Sequence, residues 1–233
     1  MTGRGLSLAL QRAVTVALLL AACIAAARLS WAAGVGLGVL ALVVYVAAPI
    51  PKPPADAWVY DRGPAVIGPD LLSFLFAPPF LAIPFWAEPA WPMGGGALHP
   101  SAVLAWPAGL FFLIFTGIGW HYAAMAVRIT QTGLEVETGR RRFAVPFAEM
   151  AEIGPWRRGL PRWVRALAPL ALALGRPGAA GAIMIARDSN GISIARRSGP
   201  PVVIGSDAFA RATKAILTAC QQHDVPIARS LLR

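Results

Sequence analysis

The sequence predicts a membrane α-helical N-terminal half of about four spans, followed by a mainly β C-terminal domain. Three observations predict it. The 233 residues are 57% hydrophobic and only 14% charged, where soluble domains carry roughly 25% charged residues, so part of the chain belongs in lipid. Charge is unevenly spread: residues 128–233 hold 16 of the 21 Lys+Arg and 7 of the 11 Asp+Glu, a net +9, while the first 127 hold five basic and four acidic residues, a net +1. The apolar pattern also changes near Val127, from continuous runs to strict alternation.

The first two runs, about 7–28 and 31–50, read as a helical hairpin turning at Arg28-Leu29-Ser30. Each approaches the roughly 20 residues that a span needs. A basic start (Arg4, Arg12) before an apolar run also has the form of a signal peptide, with Ala25-Ala26-Ala27 imitating a cleavage site. The second run follows too closely to favour that alternative. Gly34 and Gly38 have small-xxx-small spacing, which permits close helix contact. Pro49, Pro51, Pro53 and Pro54 end the second helix, and residues 52–70 read as a loop that places Trp58 and Tyr60 at headgroup level. The third run, 71–87, is broken by Pro78, Pro79 and Pro84 and reads as a kinked span, or else as a re-entrant segment. The fourth, 102–126, has Trp106 and Trp120 near its ends. The turn at Ser30 and the loop 88–101 carry no Lys or Arg beyond Arg28 at the border of the first. The positive-inside rule therefore puts both termini in the cytoplasm, and an even number of spans agrees with this. Basic residues are almost all Arg, with only Lys52 and Lys214, among abundant Ala, Gly and Pro. That usage suggests a GC-rich bacterial genome, hence a bacterial inner membrane.

From Val127 the period is two. Strands are expected at 127–131, 134–138, 142–147 and 149–153, with Thr132-Gly133 and Thr138-Gly139 as turns. Next comes an insertion, about 155–181, in which Leu160, Trp163, Val164, Leu167 and Leu170 fall at helical spacing and Arg158, Arg162 and Arg165 on another face. A basic amphipathic segment edged by Trp suits a membrane interface. Its candidate lipid-binding residues are Trp156, Arg157, Arg158, Arg162, Trp163 and Arg165. Strands are expected again at 182–187, 191–196 and 201–205, with Asn190-Gly191 as a hairpin turn. Ser206 would cap a final helix through His223, burying Phe209, Ala212, Ile216, Ala219 and Cys220.

Seven strands split four and three, then one amphipathic helix, is an order that resembles the pleckstrin-homology-like (PH-like) fold. The local sequence resembles bacterial PH-like domains fused to membrane spans, through Ile129-Thr130, Gly133-Leu134, Arg140-Arg141-Arg142, Val145-Pro146-Phe147, Glu149, Ile153 and Phe209. The resemblance covers about 127–227 and implies a binding platform, with Arg140, Arg141 and Arg142 as candidate partner-binding residues. The insertion 154–181 departs from a minimal domain of this kind, and no phosphoinositide ligand is carried over.

No Walker A pattern, dinucleotide fingerprint, HExxH or GxSxG occurs. Two cysteines, Cys23 and Cys220, in different phases form no expected disulfide, and scattered His99, His121 and His223 give no metal site. His121, near the end of the fourth span, is an intramembrane ionisable group and so a candidate for function, or a mere anchor. No cofactor and no nucleic-acid partner is expected. The expectation is a non-enzymatic membrane protein, an accessory or assembly subunit that binds a membrane-protein complex and membrane lipids. The alternatives are anionic-lipid recognition through the insertion, or a small transporter or membrane enzyme.

Overall fold

The computed structural model describes residues 1–90, 99–159, 189–206 and 209–231, with single positions at 169, 172, 173 and 175. It divides into two units. The first comprises Met1–Arg128 and Glu135–Ala144, the second Ile129–Leu134 and Val145–Arg233.

The first unit is helical. Helix α1 (Gly3–Arg28) is capped by Thr2, whose hydroxyl accepts from the Gly5 N–H at 3.0 Å. Helix α2 (Trp31–Ala47) is capped by Ser30, which accepts from Ala33. The expected hairpin turn is therefore where the sequence placed it. α2 stops short of the expected residue 50, because Ala48 precedes Pro49 and takes an extended ψ of 132°. A two-residue strand β1 (Trp58–Val59) and a π-helical turn (Gly63–Ile67) lead into helix α3 (Gly68–Ala90). Helix α4 (Ala102–Ala124) follows. The segments Gly3–Arg28, Gly63–Ala87 and Ala102–Ala124 are long and apolar enough to cross a membrane; α2 is apolar but only 17 residues long.

Two sequence expectations change here. Residues 63–70 are helical rather than loop, because Pro64 sits in the first turn, where a missing N–H costs nothing. Pro78, Pro79 and Pro84 lie inside one continuous helix, in keeping with the span expected at 71–87. Tyr60 is 3% exposed and packs edge to face on Tyr122 at 4.8 Å, so it is core rather than a headgroup anchor.

α1 packs on α2, α3 and α4, and α3 packs on α4. Gly34 permits the α1–α2 approach: a Cβ there would come within 2.6 Å of the Ala26 Cβ, whereas Gly38 faces open space. Large apolar side chains point outward from these helices, among them Val46, Val103 and Leu104, each at least 75% exposed.

After α4 the chain turns to strands: β2 (Ala126–Ile129), β3 (Gly133–Glu137) and β4 (Arg142–Pro146), in a sheet of order β1-β2-β3-β4. β1 pairs antiparallel with β2, Trp58 opposite Val127. The β3–β4 turn closes on Thr138, whose N–H and hydroxyl both donate to the Arg141 carbonyl, at 2.8 and 2.9 Å.

The second unit holds β5 (Met150–Arg158), β6 (Ser189–Arg196) and β7 (Val202–Gly205), antiparallel in that order, and helix α5 (Ala210–Gln222). Ile153, Ile192, Ile194, Ile204, Ile216 and Cys220 are all at most 1% exposed and form its core. The C-terminal segment docks beside β5, with the Ile153 N–H on the Pro226 carbonyl and the Ala228 N–H on the Ile153 carbonyl.

Three local expectations are corrected. β5 runs on to Arg158, paired across to Ser189, so Trp156, Arg157 and Arg158 lie on a strand and not on a helix face. Asn190-Gly191 lies inside β6, opposite Arg157 and Trp156. Gly191 is needed there because a Cβ would run into the Ile204 carbonyl of β7, a close approach rather than a turn. α5 starts after Phe209 without a side-chain cap, four residues beyond the predicted Ser206 cap. The strand expected at 182–187 lies outside the described residues. The region after α4 is thus two small antiparallel sheets and a helix among the described residues.

Candidate functional site

The first unit buries a charged cluster. Arg12 of α1 is 2% exposed and Asp70 of α3 is 1% exposed. Arg12 donates Nε to Asp70 Oδ1 at 3.0 Å and Nη2 to Oδ2 at 2.6 Å, a bidentate pair. The Tyr45 hydroxyl of α2 donates to the same Oδ2 at 2.6 Å. Arg12 Nη1 reaches the Leu8 carbonyl at 3.3 Å. A buried pair persists only if its geometry and remaining hydrogen bonds repay the loss of water, and here three donors converge on one carboxylate. Gly119 of α4 makes room, since a Cβ there would collide with Asp70 Oδ1. One carboxylate therefore joins α1, α2 and α3 and rests against α4.

Polar groups continue around it. Gln11 Nε2 donates to the Tyr45 carbonyl, the Thr15 hydroxyl to the Gln11 carbonyl at 2.8 Å, and Ser73 shares a hydrogen bond with Thr116 at 2.6 Å. The first and last of these cross between helices, while the Thr15 bond stays within α1.

Beside the cluster lies a cavity of about 470 Å³ formed by the start of α1, the end of α2, residues 48–53, β1, the π-helical turn and the end of α4. Four cations line it: Arg4, Arg12, Lys52 and Arg62. Tyr45, Tyr60 and Tyr122 also contribute to its wall. Arg4 donates Nη2 to the Ala123 carbonyl at 2.8 Å, while its Nε and Nη1 are buried without a hydrogen-bond partner.

In the sequence Arg4 and Arg12 read as the basic start of the first apolar run and Asp70 as the end of a loop. The signal that could have found the pair was an opposite charge set within, or one residue from, each of two apolar runs. Tyr45 carried no such signal, being one aromatic within an apolar helix.

The residues singled out by sequence fall elsewhere. Arg140, Arg141 and Arg142 are exposed around the β3–β4 turn. Arg142 is engaged by Glu135 at 2.7 Å, which holds its pKa above the ordinary arginine value. Arg141 lies over the Phe143 ring at 5.2 Å. Arg128 pairs with Asp56 at 2.6 Å, and that hydrogen bond lowers the Asp56 pKa. Trp156 is half-buried, and Arg157 and Arg158 are exposed at the far end of β5. Arg162, Trp163 and Arg165 lie outside the described residues, so the expected basic helix face is not assembled among those described. His121 is exposed on α4, its ring 5.4 Å from that of Tyr122. His223 stacks on Phe147 at 4.1 Å, and His99 Nδ1 sits 2.9 Å from the Ser101 hydroxyl. Among the described residues no three His, Cys, Asp or Glu side chains gather as metal ligands. No family model matches the chain, and no curated protein or solved structure matches it.

Proposed function

We propose that this chain is a non-enzymatic, multi-pass membrane protein whose C-terminal region, a PH-like domain, serves as a binding platform. In this reading it is an accessory or assembly subunit of a membrane-protein complex. The observation that carries the reading is the use made of Asp70. Its two oxygens are taken up by three donors from α1 and α2. A carboxylate so engaged ties helices together and has little left with which to take a proton from a substrate. The strongest charged constellation of the membrane unit is in this sense a fastening. Outward-facing Val46, Val103 and Leu104 need lipid or a partner's helices to cover them. β7 is the outer strand of its sheet among the described residues and exposes Val203, which suits strand addition or side-chain contact by a partner.

The orientation proposed is four spans with both termini on the cytoplasmic face of a bacterial inner membrane. The gathering of Arg4, Lys52 and Arg62 around one cavity supports it, because positive charge collects on the cytoplasmic side. The test is purification of tagged full-length protein in mild detergent, with mass spectrometry of what accompanies it. A stoichiometric integral-membrane partner, lost when residues 145–233 are removed but the helices still insert, is the expected result. A protein that runs alone, or a partner retained without residues 145–233, overturns the platform reading.

A further inference from the structure

We propose that the cation-lined cavity of the membrane unit is a binding site for a phosphate group, namely the headgroup of an anionic phospholipid. The inference goes beyond the platform reading and does not depend on any protein partner.

Charge argues for an anion. Of the four cations in the wall, Arg12 is neutralised by Asp70, leaving Arg4, Lys52 and Arg62 to set the sign. The nearby acids are few: Asp61 precedes Arg62 and is exposed, and Glu137 acts on Arg4 from outside the cavity wall. Unmatched donors argue the same way. Arg4 uses one nitrogen on the Ala123 carbonyl and keeps Nε and Nη1 buried and unmatched. Nε shares one guanidinium edge with Nη2 and Nη1 shares the other, so each unmatched nitrogen offers a single hydrogen bond to an anion's oxygen. Buried donors are normally satisfied, and a modest turn of the Arg4 side chain toward the cavity would let an acceptor bound there complete them. The hydroxyl-bearing rings of Tyr60 and Tyr122 meet edge to face in the same wall. The volume, about 470 Å³, lies in the range of small-ligand sites.

Position argues for a lipid rather than a soluble ester. The cavity lies at helix ends, where a headgroup would be found. Its wall includes Val46 of α2, which is 75% exposed and continues outward into Val43, Leu42 and Val39, each more than half exposed. A headgroup seated at Arg4 would let its acyl chains follow that apolar face.

The experiment uses the full-length protein in a neutral detergent and follows thermal unfolding and lipid retention by native mass spectrometry. The probes are phosphatidylglycerol, phosphatidylcholine and inorganic phosphate. Phosphatidylglycerol should bind one to one and raise the Tm, and phosphatidylcholine should not. R62Q and K52Q, both at exposed positions, should each weaken phosphatidylglycerol binding, and R4Q should weaken it most, by about tenfold or more. Stabilisation by inorganic phosphate with none by phosphatidylglycerol would support the phosphate chemistry and reject the lipid source. Equal binding of phosphatidylcholine, no binding of either anion, or phosphatidylglycerol affinity unchanged in R62Q and K52Q would overturn the site.

Discussion

Asp70 shows how much of a buried charge's effect lies in its partner. Asp70→Asn removes the negative charge but leaves Arg12 buried at 2% exposure. Breaking a buried pair in this way costs roughly 3–5 kcal/mol, and unfolding of the purified protein followed by tryptophan fluorescence should show it. Replacing both partners, as R12L with D70L, should recover much of that loss, since an apolar pair of similar volume is often no worse. A double variant as unstable as the single would show that the charges are needed beyond their mutual pairing. Gly119→Ala should act through the same contact, because the new methyl displaces Asp70 Oδ1 from Arg12. Its cost should be at least 1–3 kcal/mol, the usual range for overpacking. The individual charges were plain in the sequence, but their pairing was not. Arg12 and Asp70 are 58 residues apart, and only the packing of α3 on α1 brings them together.

Elements were legible where a strong local period or cap decided them. Ser30 and the proline run fixed the limits of α2, and the alternation from Val127 gave β2, β3 and β4 to within one residue at each start. Misreadings came where one residue type serves two purposes. Gly191 suggested a turn but serves strand approach, and the strand expected to end at 153 runs on through Pro155 to Arg158 in β5, an outer strand of its sheet among the described residues. The buried stripe of α5 was read correctly at Phe209, Ala212, Ile216 and Cys220, although its start was misplaced. Cys220 offers a test of that packing. Burial raises its thiol from 9.0 to about 11. Between those values the unfolded chain releases the proton and the folded unit holds it, so stability should be full below pH 9 and fall as pH rises toward 11. In a Cys23→Ser background, a thiol reagent at pH 8 should leave Cys220 unmodified until denaturant unfolds α5. Rapid labelling of the folded protein would contradict its burial.

For the whole molecule, composition separated a membrane half from a basic β region, but it could not show how the chain is shared between them. The β3–β4 turn belongs to the helical unit. The Thr2 hydroxyl donates to the Thr138 carbonyl, a Cβ on Gly5 would collide with the Gly139 carbonyl and one on Gly139 with the Trp120 ring, and Trp120 Nε1 donates to the Gly5 carbonyl at 2.8 Å. A chain cut after Ala144 should therefore keep a folded helical unit, while one cut after Ala126 should be markedly less stable; equal melting temperatures would refute this sharing. The Arg12–Asp70 pair has a further consequence for biosynthesis. The ribosome delivers α1 and α2 well before it delivers Asp70. At about 5–20 residues per second, the 58 residues between the partners take roughly 3 to 12 seconds to synthesise. During that interval the nascent hairpin carries a cation with no counter-ion of its own, so it should linger beside the insertion machinery instead of parting into lipid. The arrival of α3 should then release it, and slowing translation between α2 and α3 should prolong that stay.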